Sequence, residues 1–297
     1  MKNIIQDTGL LTKNTVRMKN PNHVNEILNN LIIGGIQRLQ VVSDFDRTIT
    51  KQHENGIPHL SSFAIFGRCP SGTEQFLATA QELRKKYYPI EIDPTMSLEE
   101  KIPHMEMWWK KSEEAIKGLS ISSKEIGEVC LQCKPSLRDG TKELFDDLAM
   151  ENVPILVFSA GCGDVVATIL QQGGVYLPNV KVVSNFLNYD SSGVIQGFKD
   201  KIIHVLNKNE YAIKNTEFYN LVQDRENVIV MGDSLGDAEM AKGMDNLKTV
   251  LKIGFLYDRI EESLPSYLDT FDIVLIDDQT MEVPKAIFDS VKNSHCE

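Results

Sequence analysis

Apolar residues along this chain gather in short unbroken runs. Leu39-Gln40-Val41-Val42-Ser43 is one, and Pro154 to Phe158, Val180 to Val183, Val228 to Met231, Val250 to Ile253 and Ile273 to Ile276 are others. Short, β-branched, unalternating runs are typical of strands buried on both faces of a parallel sheet. A helical period shows between 21 and 38, where Val24, Ile27, Leu28 and Leu31 share one face. From about residue 140 onward strand and helix alternate, which predicts an α/β fold with a mostly parallel sheet.

Residues 53–139 have a different texture, with long charged helical stretches and no convincing strand. Ser97 with Glu100 three residues on forms a capping box that starts one helix, and Pro103 is expected to kink or restart it. The first strand and the later strands need one another, so this segment reads as an insertion. The predicted division is a core of residues 1–52 and 140–297 and a helical cap of residues 53–139.

Open parallel sheets bind ligands at the carboxyl ends of their strands, and three of the runs end in reactive groups. Asp44-Phe45-Asp46 follows the first run. Two carboxylates two residues apart on extended chain point to the same side, and they repel unless a cation or a proton intervenes. One can then attack as a nucleophile while the other serves as general acid and base. A pair of this kind is also common in surface loops and helix caps. Phe158-Ser159-Ala160-Gly161 offers a small hydroxyl and backbone N–H groups suited to phosphate oxygens, though an ordinary helix cap has the same composition. Gly232-Asp233-Ser234-Leu235-Gly236-Asp237 adds two hard carboxylates suited to Mg²⁺. Lys208, in a polar loop, draws interest only in this company.

Composition narrows the substrate. Among 297 residues, 31 Lys+Arg against 42 Asp+Glu leave a net charge of −11, which argues against a general nucleic-acid binder. An anionic substrate would need local positive charge, from a metal or a few placed lysines. Five cysteines, with one close pair at Cys130 and Cys133, form neither a disulfide framework nor a zinc site and are read as reduced thiols. No apolar leader follows Met1, and uncharged runs such as 153–163 are too short to span a bilayer. A cytoplasmic protein without membrane partners is expected.

The order of DxD, Ser, Lys and GDxxxD resembles the haloacid dehalogenase superfamily of phosphohydrolases. Asp44 to Thr48, Tyr88 to Pro94, Met107-Trp108-Trp109, Phe158 to Gly163, Gly197-Phe198-Lys199, His204 to Asn209 and Gly232 to Asp237 are similar to the type III cytosolic 5'-nucleotidases, over roughly residues 20–290. The resemblance implies a Rossmann-like core with helices on both faces and a helical cap that reads the base. It implies that Asp44 is the nucleophile and Asp46 the general acid and base, which requires Asp46 to titrate nearer neutrality than a free Asp. Mg²⁺ would sit on the Asp44 carboxylate, the Asp46 carbonyl and Asp233, supported by Asp237. Ser159, the Ala160 backbone and Lys208 would hold the phosphate.

For the base, the resemblance points to Glu91 as the edge carboxylate and to Trp109 as the stacking platform. Phe63 would be the opposite wall, with Phe66 the competing choice. A base methylated at N7 is cationic and stacks best on an indole, by about 0.5–2 kcal/mol. Adjacent helical positions diverge by about 100°, so only one of Trp108 and Trp109 should face the base. Ala64 falls where many relatives have a substrate-contacting Asn, and Arg47 replaces a common Met. The implied function is a monomeric, Mg²⁺-dependent nucleoside 5'-monophosphate hydrolase favouring 7-methylguanosine monophosphate, with CMP secondary. The alternatives are a pyrimidine nucleotidase, a phosphatase of another small metabolite, or a non-catalytic binder of methylated nucleotide.

Overall fold

The computed structural model describes residues 2–293 except Pro94, 209–221 and Asp245, so Asn209 and Cys296 lie outside the described residues. Its centre is a seven-stranded sheet. In chain order the strands are β1 (Val16–Arg17), β2 (Leu39–Ser43), the hairpin β3 (His53–Glu54) and β4 (Ile57–Pro58), β5 (Ile155–Cys162) and β6 (Val180–Asn185). There follow the hairpin β7 (Leu187–Tyr189) and β8 (Ile195–Phe198), then β9 (Asn227–Gly232), β10 (Thr249–Leu256) and β11 (Ile273–Ile276). The large sheet runs β1-β11-β10-β9-β2-β5-β6, parallel throughout except for β1.

Both faces of this sheet are buried, which is why its strands do not alternate apolar with polar. Val41, Ile155, Val157 and Ile229 face one core, and Val42, Leu156, Phe158 and Val230 face another. The first core is covered by the helices Pro21–Gly34, Thr141–Met150, Gly163–Gln172 and Glu282–Asn293. On the other face, Leu256 and Val274 pack on Leu264 and Leu268 of the helix Ile260–Thr270. The expected doubly covered α/β architecture is therefore present.

Local chemistry moves several boundaries. The helix expected over 21–38 stops at Gly34, because Gly35 takes φ +74°, and a 3₁₀ turn over Ile36–Arg38 leads into β2. Residues 53–139, where no strand is expected, contain the β3–β4 hairpin besides their helices. In chain order from residue 62 these helices are α1 (Ser62–Phe66), α2 (Glu74–Glu91), α3 (Leu98–Ile116) and α4 (Ser123–Cys133). The Ser97–Glu100 capping box forms, but Pro103 neither ends nor restarts α3. The Glu113 carboxylate of α3 accepts from the Phe198 N–H of β8 at 3.0 Å, tying the helical layer to the core. Four cysteines, Cys69, Cys130, Cys133 and Cys162, are free thiols. No described helix is long and apolar enough to cross a membrane.

Candidate active site

β2 lies between β5 and β9, at the point where the sheet connections depart in opposite directions. A crevice opens at such a point, at the carboxyl ends of the strands. Asp44 leaves β2 into this crevice, with its N–H donating to the Met231 carbonyl at 2.9 Å and only 4% of its surface exposed. Ser43 lies opposite Met231 on one side and Val157 on the other. That register brings Asp233 of the third motif and Ser159 of the second to the same end of the sheet.

Lys208 completes the cluster. Its ammonium, 4% exposed, donates to Asp44 Oδ1 and, at 2.8 Å, to Asp237 Oδ1. Burial alone would pull its pKa down, but the Asp237 and Asp44 carboxylates outweigh burial and hold it above the ordinary lysine range. Asp44 shows the reverse balance: burial, strengthened by Asp237, overcomes Lys208 and pushes the carboxyl up to about 7. Burial, with Asp44 and Asp237 adding to it, also raises Asp233 well above the usual range. Asp237 is committed to structure, since its Oδ2 accepts from the N–H groups of Asp233 and Ser234 and from the Ser234 hydroxyl. Gly232 makes this turn possible: a Cβ there would lie 2.2 Å from that of Asp237.

One observation bears directly on a cation. Asp44 Oδ2 is buried without any hydrogen-bond partner, while Asp44, Asp233 and Asp237 bring carboxylate oxygens within 4.8 Å of one another. Crowded carboxylates and an orphaned buried oxygen are costly unless a proton or a cation joins them. The donor set is all hard oxygen, which fits Mg²⁺.

Asp46 turns to the other wall. Its Oδ1 accepts from the Ser62 N–H at 2.7 Å and its Oδ2 from the Ser62 hydroxyl at 2.6 Å, at the start of α1. Burial raises its pKa, and the two Ser62 bonds oppose the rise. Gly161 permits this approach, since a Cβ there would stand 1.8 Å from Ser62 Oγ and 2.9 Å from Asp46 Oδ2. Ser159 is buried, and its hydroxyl accepts from the Gly161 N–H at 3.0 Å. Asn185, at the end of β6, donates to the carbonyls of Ala160 and Ile203, both at 2.8 Å, linking the second motif to the loop that carries Lys208.

Arg47 adopts φ +65°, and its guanidinium faces Asp233, Tyr88 and Asp46, whose charges raise its pKa against burial. Its carbonyl is held by Arg138. That buried guanidinium also donates to the carbonyls of Thr48 and Asp278 and stacks 3.9 Å over Phe255. Ser62, Asn185 and Arg138 were not singled out from sequence. Each acts through partners far away in the chain, so no local pattern marks it.

The groups assigned to the base lie on the helical layer. Glu91, the last residue of α2, is pushed up to about 7 by burial, against the pull of Arg47 and Lys208. Trp109 and Phe63 meet edge-on, with ring centroids 5.6 Å apart and planes at 85°. A flat base between two parallel rings needs them about 7 Å apart, twice a carbon contact distance. These rings therefore form a corner and not an open sandwich. Trp108 stacks on Tyr87 at 6.0 Å, within a cluster that includes Leu83 and Met105. Phe66 is fully buried, whereas Phe63 remains partly accessible.

A mostly parallel sheet with the Asp44–Asp46 pair, a buried lysine and two acidic loop residues gathered at its carboxyl end is a fold of the haloacid dehalogenase type. Solved structures agree on the fold: a probable phosphoserine phosphatase from Vibrio cholerae superposes with a TM-score of 0.53 at 11% identity, over 88% of this chain and 68% of its own. The narrower assignment comes from residues 47–292, which match the family model described as pyrimidine 5'-nucleotidase (UMPH-1). The chain belongs to that family and is a 5'-nucleotidase. It is 47% identical to the 7-methylguanosine phosphate-specific 5'-nucleotidase of Drosophila melanogaster, over 98% of this chain and 92% of the relative. With the Homo sapiens enzyme of the same name it shares 38%, over 96% and 95%. A crystal structure of cytosolic 5'-nucleotidase IIIB bound to cytidine superposes with a TM-score of 0.93 at 46% identity, covering 98% of both chains.

Proposed function

We propose that this chain is a cytoplasmic, monomeric, Mg²⁺-dependent hydrolase of nucleoside 5'-monophosphates. In this reading it prefers 7-methylguanosine monophosphate, takes CMP second, and works through an aspartyl phosphate. The observation that carries the chemistry is the convergence of Asp44, Lys208, Asp233 and Asp237 around one buried, unpartnered carboxylate oxygen. Support for the methylated substrate comes from the names of the fly and human relatives and from an indole at Trp109. Residues 53–139 serve as the base-reading cap.

In this mechanism an Asp44 carboxylate oxygen attacks phosphorus in line with the leaving O5'. The P–O5' bond breaks as Asp46 gives O5' a proton. Asp46 then takes a proton from water, whose oxygen displaces Asp44 from phosphorus and releases inorganic phosphate. Lys208, Ser159 and the Ala160 N–H hold the phosphate oxygens and balance their charge locally. Asp44, the Asp46 carbonyl and Asp233 would hold Mg²⁺, with Asp237 behind them, and the ion would supply positive charge to the phosphoryl oxygens. Ser62 shapes the acid step, because it holds both Asp46 oxygens from the start of α1 and so fixes how the carboxyl is turned.

A pyrimidine nucleotidase is the second reading, favoured by the cytidine in the similar structure and by the family description. Phosphate release from 7-methylguanosine monophosphate, GMP, CMP, UMP and AMP, with Mg²⁺ and with a chelator, separates the two. The expected result is the highest kcat/KM for the methylated nucleotide, CMP next, and loss of all turnover on chelation. A lead for CMP would establish the second reading. Absence of release from every nucleotide would overturn both.

A further inference from the structure

The carboxylate assigned to the base sits at an awkward place. Glu91 ends α2, and the last carbonyls of a helix have no partner within it. Pro89, two residues earlier, removes a further backbone donor from the same turn. A base-reading side chain at such an end needs outside support if it is to hold one position.

We propose that Lys101 is the positioning residue for base recognition, fixing the end of α2 from the first turn of α3. Lys101 is only 5% exposed, and its ammonium donates to the Glu91 carbonyl at 2.8 Å. A buried ammonium is costly unless hydrogen-bonded or paired, and it is well placed at the negative end of a helix dipole. The start of α3 is itself fixed, since the Ser97 hydroxyl and Glu100 carboxylate cap it reciprocally. Between the helices, Asp93 accepts from the N–H and hydroxyl of Thr95, shaping the link. Nothing in the assigned chemistry uses this lysine.

Its role is geometric more than electrostatic. The charges facing Glu91 are Arg47 from the loop after β2, Lys208, Asp237 from the turn after β9, and Lys101 from α3, with Arg47 and Lys208 the stronger attractions. Those facing Lys101 are Asp93 and Glu91. Removing Lys101 therefore displaces the Glu91 carboxylate while Arg47 and Lys208 continue to set its titration.

This inference rests on Glu91 reading the base, so the test includes that residue. Steady-state kinetics on 7-methylguanosine monophosphate and on base-free ribose 5-phosphate would compare wild type, Lys101→Met, Lys101→Arg, Glu91→Gln and the Met/Gln double variant. Lys101→Met should raise KM for the nucleotide about tenfold, the scale of one lost charged hydrogen bond, with kcat within about twofold. The pH at which the nucleotide KM changes should stay in place, and ribose 5-phosphate should be hydrolysed as before. The double variant should be no worse than Glu91→Gln, and Lys101→Arg should recover most of the loss. If the Met variant does not fold, Lys101→Gln, neutral but still able to donate, should show a smaller rise in KM. Equal losses on both substrates would make Lys101 merely structural and overturn the proposal. So would an unchanged nucleotide KM in Lys101→Met alongside a raised one in Glu91→Gln. An unchanged KM in Glu91→Gln would instead overturn the base-reading role of Glu91 and this proposal with it.

Discussion

Asp44→Asn is expected to lower kcat by about 10⁴-fold or more, the scale seen when a covalent nucleophile is removed. The protein should nonetheless melt no earlier than wild type. Asp44 is buried beside Asp233 and Asp237, and burial holds its carboxyl up to about 7, so its charge is a cost to the folded state. An amide keeps the shape, still accepts from Lys208, and removes that charge. Phosphate release and a thermal melt on the same sample check both halves. Activity above a few per cent of wild type would sink the nucleophile assignment, and a large drop in melting temperature would contradict the electrostatic account.

Lys208→Met should show the opposite combination, with loss of both activity and stability. Its ammonium is the shared partner of Asp44 and Asp237, and breaking a buried pair from one side typically costs about 3–5 kcal/mol. kcat/KM should fall about 10³-fold, since a phosphate-binding charge is lost as well. The stability deficit should depend on pH in a definite direction. An Asp whose folded pKa is raised costs stability, and that cost begins to shrink as pH falls through its folded pKa and is gone at its unfolded pKa. Without Lys208, Asp44 rises further still. The difference from wild type should therefore be largest above pH 7 and shrink towards pH 5. Denaturant melts at both pH values test this; a deficit that does not change with pH would mean that lost packing, not charge, dominates.

Much of the architecture could be read from local pattern, and the reasons are physical. Parallel strands buried on both faces must be short and apolar, so Leu39–Ser43 and Ile273–Ile276 were found at their true limits. The hairpins β3–β4 and β7–β8 are not legible in sequence because strands of two to four residues carry no period. The two-residue edge strand β1 escaped for the same reason. Pro103 does not restart the helix, because a single proline in a well-capped helix does not outweigh the packing of α3 against α2.

The acidic motifs were legible because each closes an apolar run. Their supports were not. Arg138 lies 90 residues from the Thr48 carbonyl it holds, and Ser62 is one of two adjacent serines with nothing to set it apart from an ordinary helix cap. In sequence Lys101 is one more charge on a charged helix, and only the fold reveals that it is buried. Arg47 likewise gains meaning from Tyr88 on α2.

In the proposed function one acidic phosphohydrolase centre is paired with an indole, Trp109, that selects a cationic base. The most direct test is kcat/KM for 7-methylguanosine monophosphate relative to CMP, measured in wild type and in Trp109→Tyr. The ratio should exceed one and fall several-fold in the variant, as expected for a cation–π contact of about 0.5–2 kcal/mol weakened by the smaller ring. A ratio below one in wild type, unchanged by the substitution, would contradict this reading.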